Sequence, residues 1–240
     1  MQNDPPTPAD DVASQRIALV AGASGLVGTE LCNQLRRDRR FAPVVVLARS
    51  RPPVTEPPLQ IEIVDFSRLG EWNPSVRLDT VFCALGTTIR KAGSEAAFRA
   101  VDHDLVLEMA RLAQRGQAQH FIFVSSLGAD PESGTFYLRV KGEAEESVKA
   151  LGLPHVVALR PSVLDGVRAE ARRGETAARV LGRALKPLLL GPLEKYRPTS
   201  AAKVAEAMRY VAQRGREGFE VLDPVAISRL EERTSLLSGD

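Results

Sequence analysis

The sequence predicts an α/β fold, a doubly wound parallel sheet with a small carboxyl-terminal cap region. Two observations lead to this prediction. Short runs of Ile, Val and Leu alternate along the chain with amphipathic segments, and these runs are almost continuously apolar. Strands that are buried on both faces require such runs, and helices cover the faces of a parallel sheet. The predicted strands are residues 17–21, 44–48, 61–64, 80–84, 121–125 and 156–159.

Apolar residues at helical spacing predict the segments that cover the sheet. Val27, Leu31 and Leu35 form such a stripe after the first strand, and a longer stripe runs from a cap at Ser94 to a stop at Gly116. A third helix is predicted from Val140, Ala144, Val148 and Leu151. The pattern loosens after residue 160, where it predicts helices at about 176–189 and 200–213 and a short strand at 217–223.

Length and composition favour a single domain. The chain has 240 residues, of which 44% are hydrophobic and 26% charged, enough for one large core. Residues 1–15 are polar and contain three prolines, so we expect a disordered leader there and neither a signal peptide nor a membrane span. Residues 16–240 then form one domain, with cap elements in about 161–240.

Charge and cysteine usage exclude several classes of function. The net charge of +2 and the 5% aromatic content give no basic, aromatic surface for nucleic acid. Cys32 and Cys83 are lone thiols without metal-ligand spacing, and the three histidines are scattered, so we expect no metal. The thiols fit a reducing compartment, and we expect a cytoplasmic protein. The oligomeric state stays open.

A glycine-rich turn after the first strand predicts a dinucleotide site. The segment Gly22-Ala-Ser-Gly25-Leu-Val-Gly28 separates that strand from the first helix. Glycines at these positions allow a tight turn, a close approach of backbone to phosphate, and a helix packed close to the sheet. Without the flanking strand and helix, the same pattern would indicate only a tight turn. The candidate contacts are Gly22, Ser24, Gly25, Leu26, Val27 and Gly28.

The residues after the second strand favour NADP over NAD. Arg49 and Arg51 stand where an acidic residue would accept the ribose hydroxyls of NAD. A guanidinium offers paired donors for a 2′-phosphate, so Arg49 is the first candidate contact and Arg51 the second. The alternative is an ordinary solvent-facing arginine. Asp65, after the third strand, is placed to approach the adenine edge, although acids at strand ends are also common as caps.

Leu85, Gly86 and Thr87 follow the fourth strand at the same edge of the sheet. A glycine there lets the dinucleotide pass, and Thr87 and Thr88 are weaker candidates for phosphate or ribose contacts. Threonines in loops are more often satisfied by nearby backbone.

A tyrosine and a lysine four residues apart predict acid–base chemistry. Tyr137 and Lys141 lie near the start of the third predicted helix, where residues at this spacing share one face. A cation beside a phenol favours the phenolate and lowers the pKa of the phenol, as a proton donor or acceptor requires. Ser126 precedes them at the end of the fifth strand, with Ser125 as the alternative if that strand ends one residue earlier.

In this order the motifs resemble the short-chain dehydrogenase/reductase superfamily. More narrowly, GASGLVG, LGTTIRKAG, VDHDLVLEMA, SSLGAD, YLRVKGE and LRPSVL look like its atypical, Tat-interacting oxidoreductase-like branch, from about residue 16 to about residue 208. The resemblance implies a Rossmann fold that binds NADP(H). It also implies that Tyr137 protonates a carbonyl oxygen, that Lys141 assists it and holds the nicotinamide ribose, and that Ser126 binds the carbonyl.

One departure from the superfamily bears on activity. Many of its enzymes place an Asn in the helix after the fourth strand to organise a proton relay, and the nearest polar residue here is Asp102. Three functions therefore stay open: an NADP(H)-dependent oxidoreductase acting on a small carbonyl or alcohol, an NADP(H)-binding protein that acts through a protein partner, and a nucleotide-sugar epimerase or dehydratase.

Overall fold

A computed structural model describes residues 15–165 and 196–237, and in this part a seven-stranded sheet forms the centre of the fold. The strands are β1 (Arg16–Ala21), β2 (Phe41–Ala48), β3 (Leu59–Ile63), β4 (Thr80–Cys83), β5 (His120–Val124), β6 (His155–Leu159), β7 (Leu164–Asp165), β8 (Thr199–Ser200) and β9 (Gly218–Leu222). The helices are α1 (Leu26–Leu35), α2 (Ile89–Ala92), α3 (Glu95–Arg99), α4 (Leu105–Arg115), α5 (Phe136–Lys149), α6 (Ala201–Val211) and α7 (Pro224–Leu237), numbered over the described residues. A 3-10 helix (Phe66–Glu71) follows β3, and a π-helical turn (Ala100–Asp104) joins α3 to α4.

The sheet confirms the predicted fold class. Its strands lie in the order β3-β2-β1-β4-β5-β6-β9, and every neighbouring pair is parallel. The six predicted strands are all present, and the segment predicted at 217–223 is the seventh strand, β9. The helix predicted at 200–213 is α6. The predicted leader, apart from residue 15, and the helix predicted at 176–189 lie outside the described residues.

The predicted start of β2 is wrong by three residues. The strand begins at Phe41, which pairs with Arg16 of β1. Proline lacks an N–H and usually interrupts a ladder, yet Pro43 lies inside this strand. The register between β1 and β2 is irregular between Arg16 and Ala18, which accommodates the proline.

Alternate residues of each strand enter two separate apolar layers. On β1, Ala18 and Val20 join the layer beneath α1 and α6, whereas Leu19 and Ala21 join the layer beneath α4. This alternation is the period of a β-strand, and it buries both faces of the sheet. Helices therefore cover both faces, as a doubly wound sheet requires.

The strand order places a crevice at the carboxyl ends of β1 and β4. The chain winds outward from β1 to β3 on one side and from β4 to β9 on the other. Connections that leave β1 and β4 in opposite directions open the cleft in which such folds bind ligands. Among the described helices, none is long and apolar enough to span a membrane.

Both cysteines lie in the interior and carry free thiols. Cys32 belongs to α1 and Cys83 ends β4. Burial raises the pKa of each thiol to about 12, so both stay protonated at neutral pH.

Candidate active site at the carboxyl edge of the sheet

The turn after β1 needs glycine at its first position. Gly22 has a φ of +91°, and a Cβ there would lie 2.4 Å from the carbonyl oxygen of Ala84, at the end of β4. An L side chain meets both a strained backbone and a fixed main-chain atom at this point. The first glycine of the motif therefore brings the β1 and β4 loops into contact.

The last glycine of the motif lets α1 pack against the same turn. A Cβ on Gly28 would lie only 2.0 Å from the carbonyl oxygen of Gly22. The helix begins after Gly25, whose own N–H donates to Gly22 at 3.0 Å. The cap of α1 makes no side-chain hydrogen bond, and Ser24 and Gly25 are exposed. The first-turn N–H groups and the helix dipole are thus available to an anion such as a pyrophosphate.

Two arginines lie on the surface where β2 ends. Arg49 and Arg51 are both exposed. Arg51 donates to Thr55 at 3.3 Å, whereas Arg49 has no ion pair within the described residues. The unpaired guanidinium of Arg49 agrees with the choice of Arg49 over Arg51 as the contact to a 2′-phosphate. That contact stays a prediction.

Asp65 serves as a cap. Its carboxylate accepts hydrogen bonds from the hydroxyl and the backbone N–H of Ser67, in the first turn of the 3-10 helix. These bonds hold the pKa of Asp65 below its usual value. This capping role accounts for an acid at position 65 without any ligand. The predicted approach of Asp65 to the adenine stays a prediction.

The loop after β4 is fixed from inside the protein. The N–H of Thr87 donates to Asp102 at 2.8 Å, and Thr88 caps α2 by accepting from the N–H of Lys91. Leu85 packs partly against the apolar layer beneath α4. A Cβ on Gly86 would lie 3.4 Å from Asp102 and 3.9 Å from the Lys141 ammonium. Gly86 therefore lies directly against the Asp102 carboxylate and the Lys141 ammonium.

Lys141 and Asp102 form an ion pair in the interior. Their charged atoms are 2.8 Å apart, and the two residues are 5% and 1% exposed. Lys141 also lies 3.5 Å from the carbonyl oxygen of Val124, at the end of β5. Burial alone would lower the pKa of Lys141, but the negative charge of Asp102 outweighs it and the pKa is raised. The lysine is therefore cationic at neutral pH.

Tyr137 lies one helical turn before Lys141, as the spacing predicts. Both belong to α5, and the half-buried tyrosine ring packs 5.4 Å from the ring of Phe98 on α3. The phenol and the ammonium therefore share the α5 face that borders the cleft.

The two serines after β5 differ in their partners. Ser125 is buried, and its hydroxyl donates to Glu145. Arg160 binds the same carboxylate at 2.6 Å and 2.9 Å. Ser126 is half-buried and makes only a 3.4 Å contact with its neighbour Leu127. Ser126 therefore has a hydroxyl to offer a substrate, whereas Ser125 is committed to the interior.

Sequence reasoning missed two features of this edge. It treated Asp102 only as a departure from an expected Asn, although an acid inside the apolar stripe of a predicted helix is a signal of a buried charge partner. It also overlooked the Glu145–Arg160 pair, since nothing in the pattern brings a residue of α5 to the end of β6. Within the described residues, no three His, Cys, Asp or Glu side chains are grouped to hold a metal ion.

Comparisons with known proteins agree with this geometry. The model of a family described as NAD(P)H-binding matches residues 22–211. Protein HTATIP2 of Rattus norvegicus is 40% identical over 164 residues, 67% of each chain. Protein FMP52-1, mitochondrial, of Scheffersomyces stipitis is 32% identical over 222 residues, 90% of this chain and 95% of that protein.

Solved structures show the same fold at lower identity. MoeE5 in complex with UDP-glucuronic acid and NAD superposes with a TM-score of 0.65 and 20% identity, covering 92% of this chain and 82% of that one. ADP-L-glycero-D-manno-heptose-6-epimerase of Helicobacter pylori gives a TM-score of 0.64 and 18% identity, covering 94% and 84%. Both likenesses concern the fold alone.

Proposed function

The chain belongs to the NAD(P)H-binding family, and from this premise we propose that it is an NADP(H)-dependent oxidoreductase acting on a small carbonyl or alcohol. The observation that carries the proposal is the placement of Tyr137 and Lys141 on the cleft face of α5, next to Gly86. A protein that only held a nucleotide could use the lysine to bind the ribose, but it would not need a phenol beside that lysine.

Each residue of the site has a role that its contacts support. The first turn of α1 binds the pyrophosphate through backbone N–H groups, and Arg49 binds the 2′-phosphate of NADPH, which supplies the hydride. Ser126 donates to the carbonyl oxygen of the substrate. Tyr137 gives its proton to the same oxygen as negative charge develops there. Lys141 lies one helical turn after Tyr137 on α5 and is held there by its ion pair with Asp102.

The cofactor preference is tested by titration. We expect the protein to bind NADPH at least tenfold more tightly than NADH, because a guanidinium pairs with the phosphate and not with a hydroxyl. Arg49→Ala removes most of that difference, as measured by fluorescence titration with both cofactors. Arg39→Ala, at an exposed arginine just before the start of β2 and so at the opposite edge of the sheet, is the matched control and leaves the ratio unchanged. Equal affinities in the parent protein contradict the proposal.

The chemistry is tested at the phenol. Tyr137→Phe abolishes NADPH oxidation across a panel of small aldehydes and ketones while NADPH affinity changes less than about threefold, since only the proton donor is lost. Tyr210→Phe, a half-buried tyrosine on α6, is the control and keeps full turnover. Tight NADPH binding without turnover of any compound would favour a protein that acts through a partner in one cofactor state.

We also propose a cytoplasmic location, because both thiols are free and buried. The relative in Scheffersomyces stipitis is named mitochondrial, so imaging of a carboxyl-terminal fluorescent fusion beside a mitochondrial marker decides between the two compartments.

A further inference from the structure

A π-helical turn directs Asp102 into the interior. The turn spans Ala100–Asp104, between two α-helical segments that continue on either side. Asp102 is 1% exposed in this turn, whereas the outer side of the turn is tied to α5 by His103, which contacts Ser147 at 3.1 Å. Such turns insert an extra residue into a helix and are frequent at functional sites.

The Asp102 carboxylate connects two segments of the site. One oxygen lies 2.8 Å from the Lys141 ammonium, and the other accepts the N–H of Thr87 at 2.8 Å. These contacts hold α5 and the loop after β4 in a fixed relation. They also place a negative charge beside Lys141, one helical turn after Tyr137 on α5.

Few other ionisable groups face Asp102. Cys83, at the end of β4, stays protonated because burial raises its pKa to about 12. On the π turn itself, His103 and Asp104 contact each other at 2.7 Å and lie on the outer side. On α5, Glu145 is one turn beyond Lys141 and binds Arg160. Tyr137 and Lys141 of α5 are therefore the groups to which the charge of Asp102 matters.

We propose that Asp102 is a positioning residue that offsets the charge of Lys141 and thereby favours the protonated form of the Tyr137 phenol as a proton donor. This inference rests on the proposed function for its catalytic meaning. The buried pair has no net charge, and an uncompensated lysine would instead favour the phenolate. An amide at this position would leave the lysine uncompensated.

Two consequences follow for the pH dependence of the site. Carbonyl reduction needs the protonated phenol of Tyr137. The charge-balanced Lys141–Asp102 pair therefore extends the pH range of reduction upward. Alcohol oxidation needs the phenolate as base, so the same pair restricts oxidation to alkaline pH.

The test measures ionisation of the phenol directly and needs no turnover. The full chain is produced with 13Cζ-labelled tyrosine and saturated with NADPH, and the three tyrosine signals are followed by NMR across pH. Tyr137→Phe assigns the signal. We expect Asp102→Asn, which keeps the shape of the side chain and one acceptor, to move the midpoint of Tyr137 ionisation down by about one pH unit or more. Asp79→Asn is the matched control, because this carboxylate also accepts a backbone N–H, from Ile17, but at the opposite edge of the sheet.

A second variant covers the possibility that Asp102→Asn alone fails to fold. The double variant Asp102→Asn with Lys141→Met removes both charges, and we expect its Tyr137 midpoint to return to within about half a pH unit of the parent. An unchanged or higher midpoint in Asp102→Asn overturns the inference. A double variant whose Tyr137 midpoint lies more than about one pH unit above that of the parent also overturns the inference. Lys141 would then lower the midpoint in the parent despite the presence of Asp102.

The proposed role of Asp102 and the proposed oxidoreductase function would be contradicted by different results. With an active substrate, the alkaline limb of kcat/KM for reduction moves to lower pH in Asp102→Asn by the same amount as the NMR midpoint. The expected NMR shift without turnover of any compound supports the role of Asp102 and contradicts the oxidoreductase proposal.

Discussion

The two edges of the sheet both bury ionisable groups, but they use them differently. At the carboxyl edge, Lys141 pairs with Asp102 beside a cleft that also contains unpaired donors. At the amino edge, His120 and His155 pack ring to ring at 4.9 Å, and the Asp38 carboxylate binds two arginines. Buried charge occurs at both edges and does not by itself mark a functional site.

What distinguishes the carboxyl edge is a helix N-terminus without a side-chain cap, beside the buried Lys141–Asp102 pair. The first turn of α1 makes no side-chain cap bond, and within the described residues Arg49 has no ion pair. At the amino edge, Asp38 accepts from Arg40 and Arg209, and the N–H of Ile17 donates to Asp79. Donors that have protein acceptors stabilise the fold, whereas the uncapped first turn of α1 is available to an anion.

The largest expected effect, counted over cofactor affinity and stability together, separates the glycines of the two edges. Gly28→Ala places a methyl group on the carbonyl of Gly22, so α1 must move away from the phosphate turn. We expect at least a 100-fold loss of NADPH affinity and a loss of about 3 kcal/mol in the free energy of unfolding. Gly215→Ala, in the loop before β9, has open space around the new methyl group and should change stability by less than about 0.5 kcal/mol. Calorimetric titration and urea unfolding measure the two quantities, and equal behaviour of the variants would remove the packing argument.

The next effect compares the two buried aspartates. Asp102→Ala leaves the ammonium of Lys141, 6% exposed in its side chain, without a counter-charge, and should cost about 3–5 kcal/mol. Asp38→Ala should cost about 2 kcal/mol, because the side chains of Arg40 and Arg209 are 52% and 21% exposed and water can replace the carboxylate. Urea unfolding at pH 7 measures both, and a larger loss in Asp38→Ala would reverse the proposed difference.

The smallest expected effect is the pH dependence of stability that arises from His155 at the amino edge. Burial, the neighbouring His120 and the nearby Arg214 lower the pKa of His155 to about 4 from an ordinary value of 6.5. The native state therefore binds fewer protons than the unfolded chain, so the full stability is present above pH 6.5 and is lost as the pH falls toward 4. We expect about 1–2 kcal/mol less stability at pH 5 than at pH 7 from this residue.

His155→Gln should flatten that decrease, whereas His103→Gln, the control on the π turn, should retain it. Urea unfolding at both pH values gives the comparison. A decrease that survives in His155→Gln would assign the pH dependence to other groups.

The strands and the glycine turn were predictable because their causes are local. A parallel strand buried on both faces needs continuous apolar residues, and Gly22 and Gly28 meet backbone atoms within one strand–turn–helix unit. The position of Tyr137 relative to Lys141 followed from helical spacing alone. Each of these predictions requires only a few consecutive residues.

The buried ion pairs were not predictable because their partners are distant in sequence. Asp102 meets Lys141 across α4, β5 and the loop that follows β5, and Glu145 meets Arg160 only when α5 packs beside β6. The π turn, which sets the direction of Asp102, leaves no separate pattern in the sequence. A helical stripe that contains an acid is the one local sign of it.

The burial of Cys32 and Cys83 makes this protein well suited to site-specific labelling. Both thiols are protonated and shielded, so maleimides at neutral pH should leave them unmodified while the fold is intact. A single cysteine introduced at Gly134, around which a new Cβ meets no atom within 4 Å, would then carry the dye near the start of α5. A fluorophore there would follow cofactor binding beside Tyr137 without replacing either native cysteine.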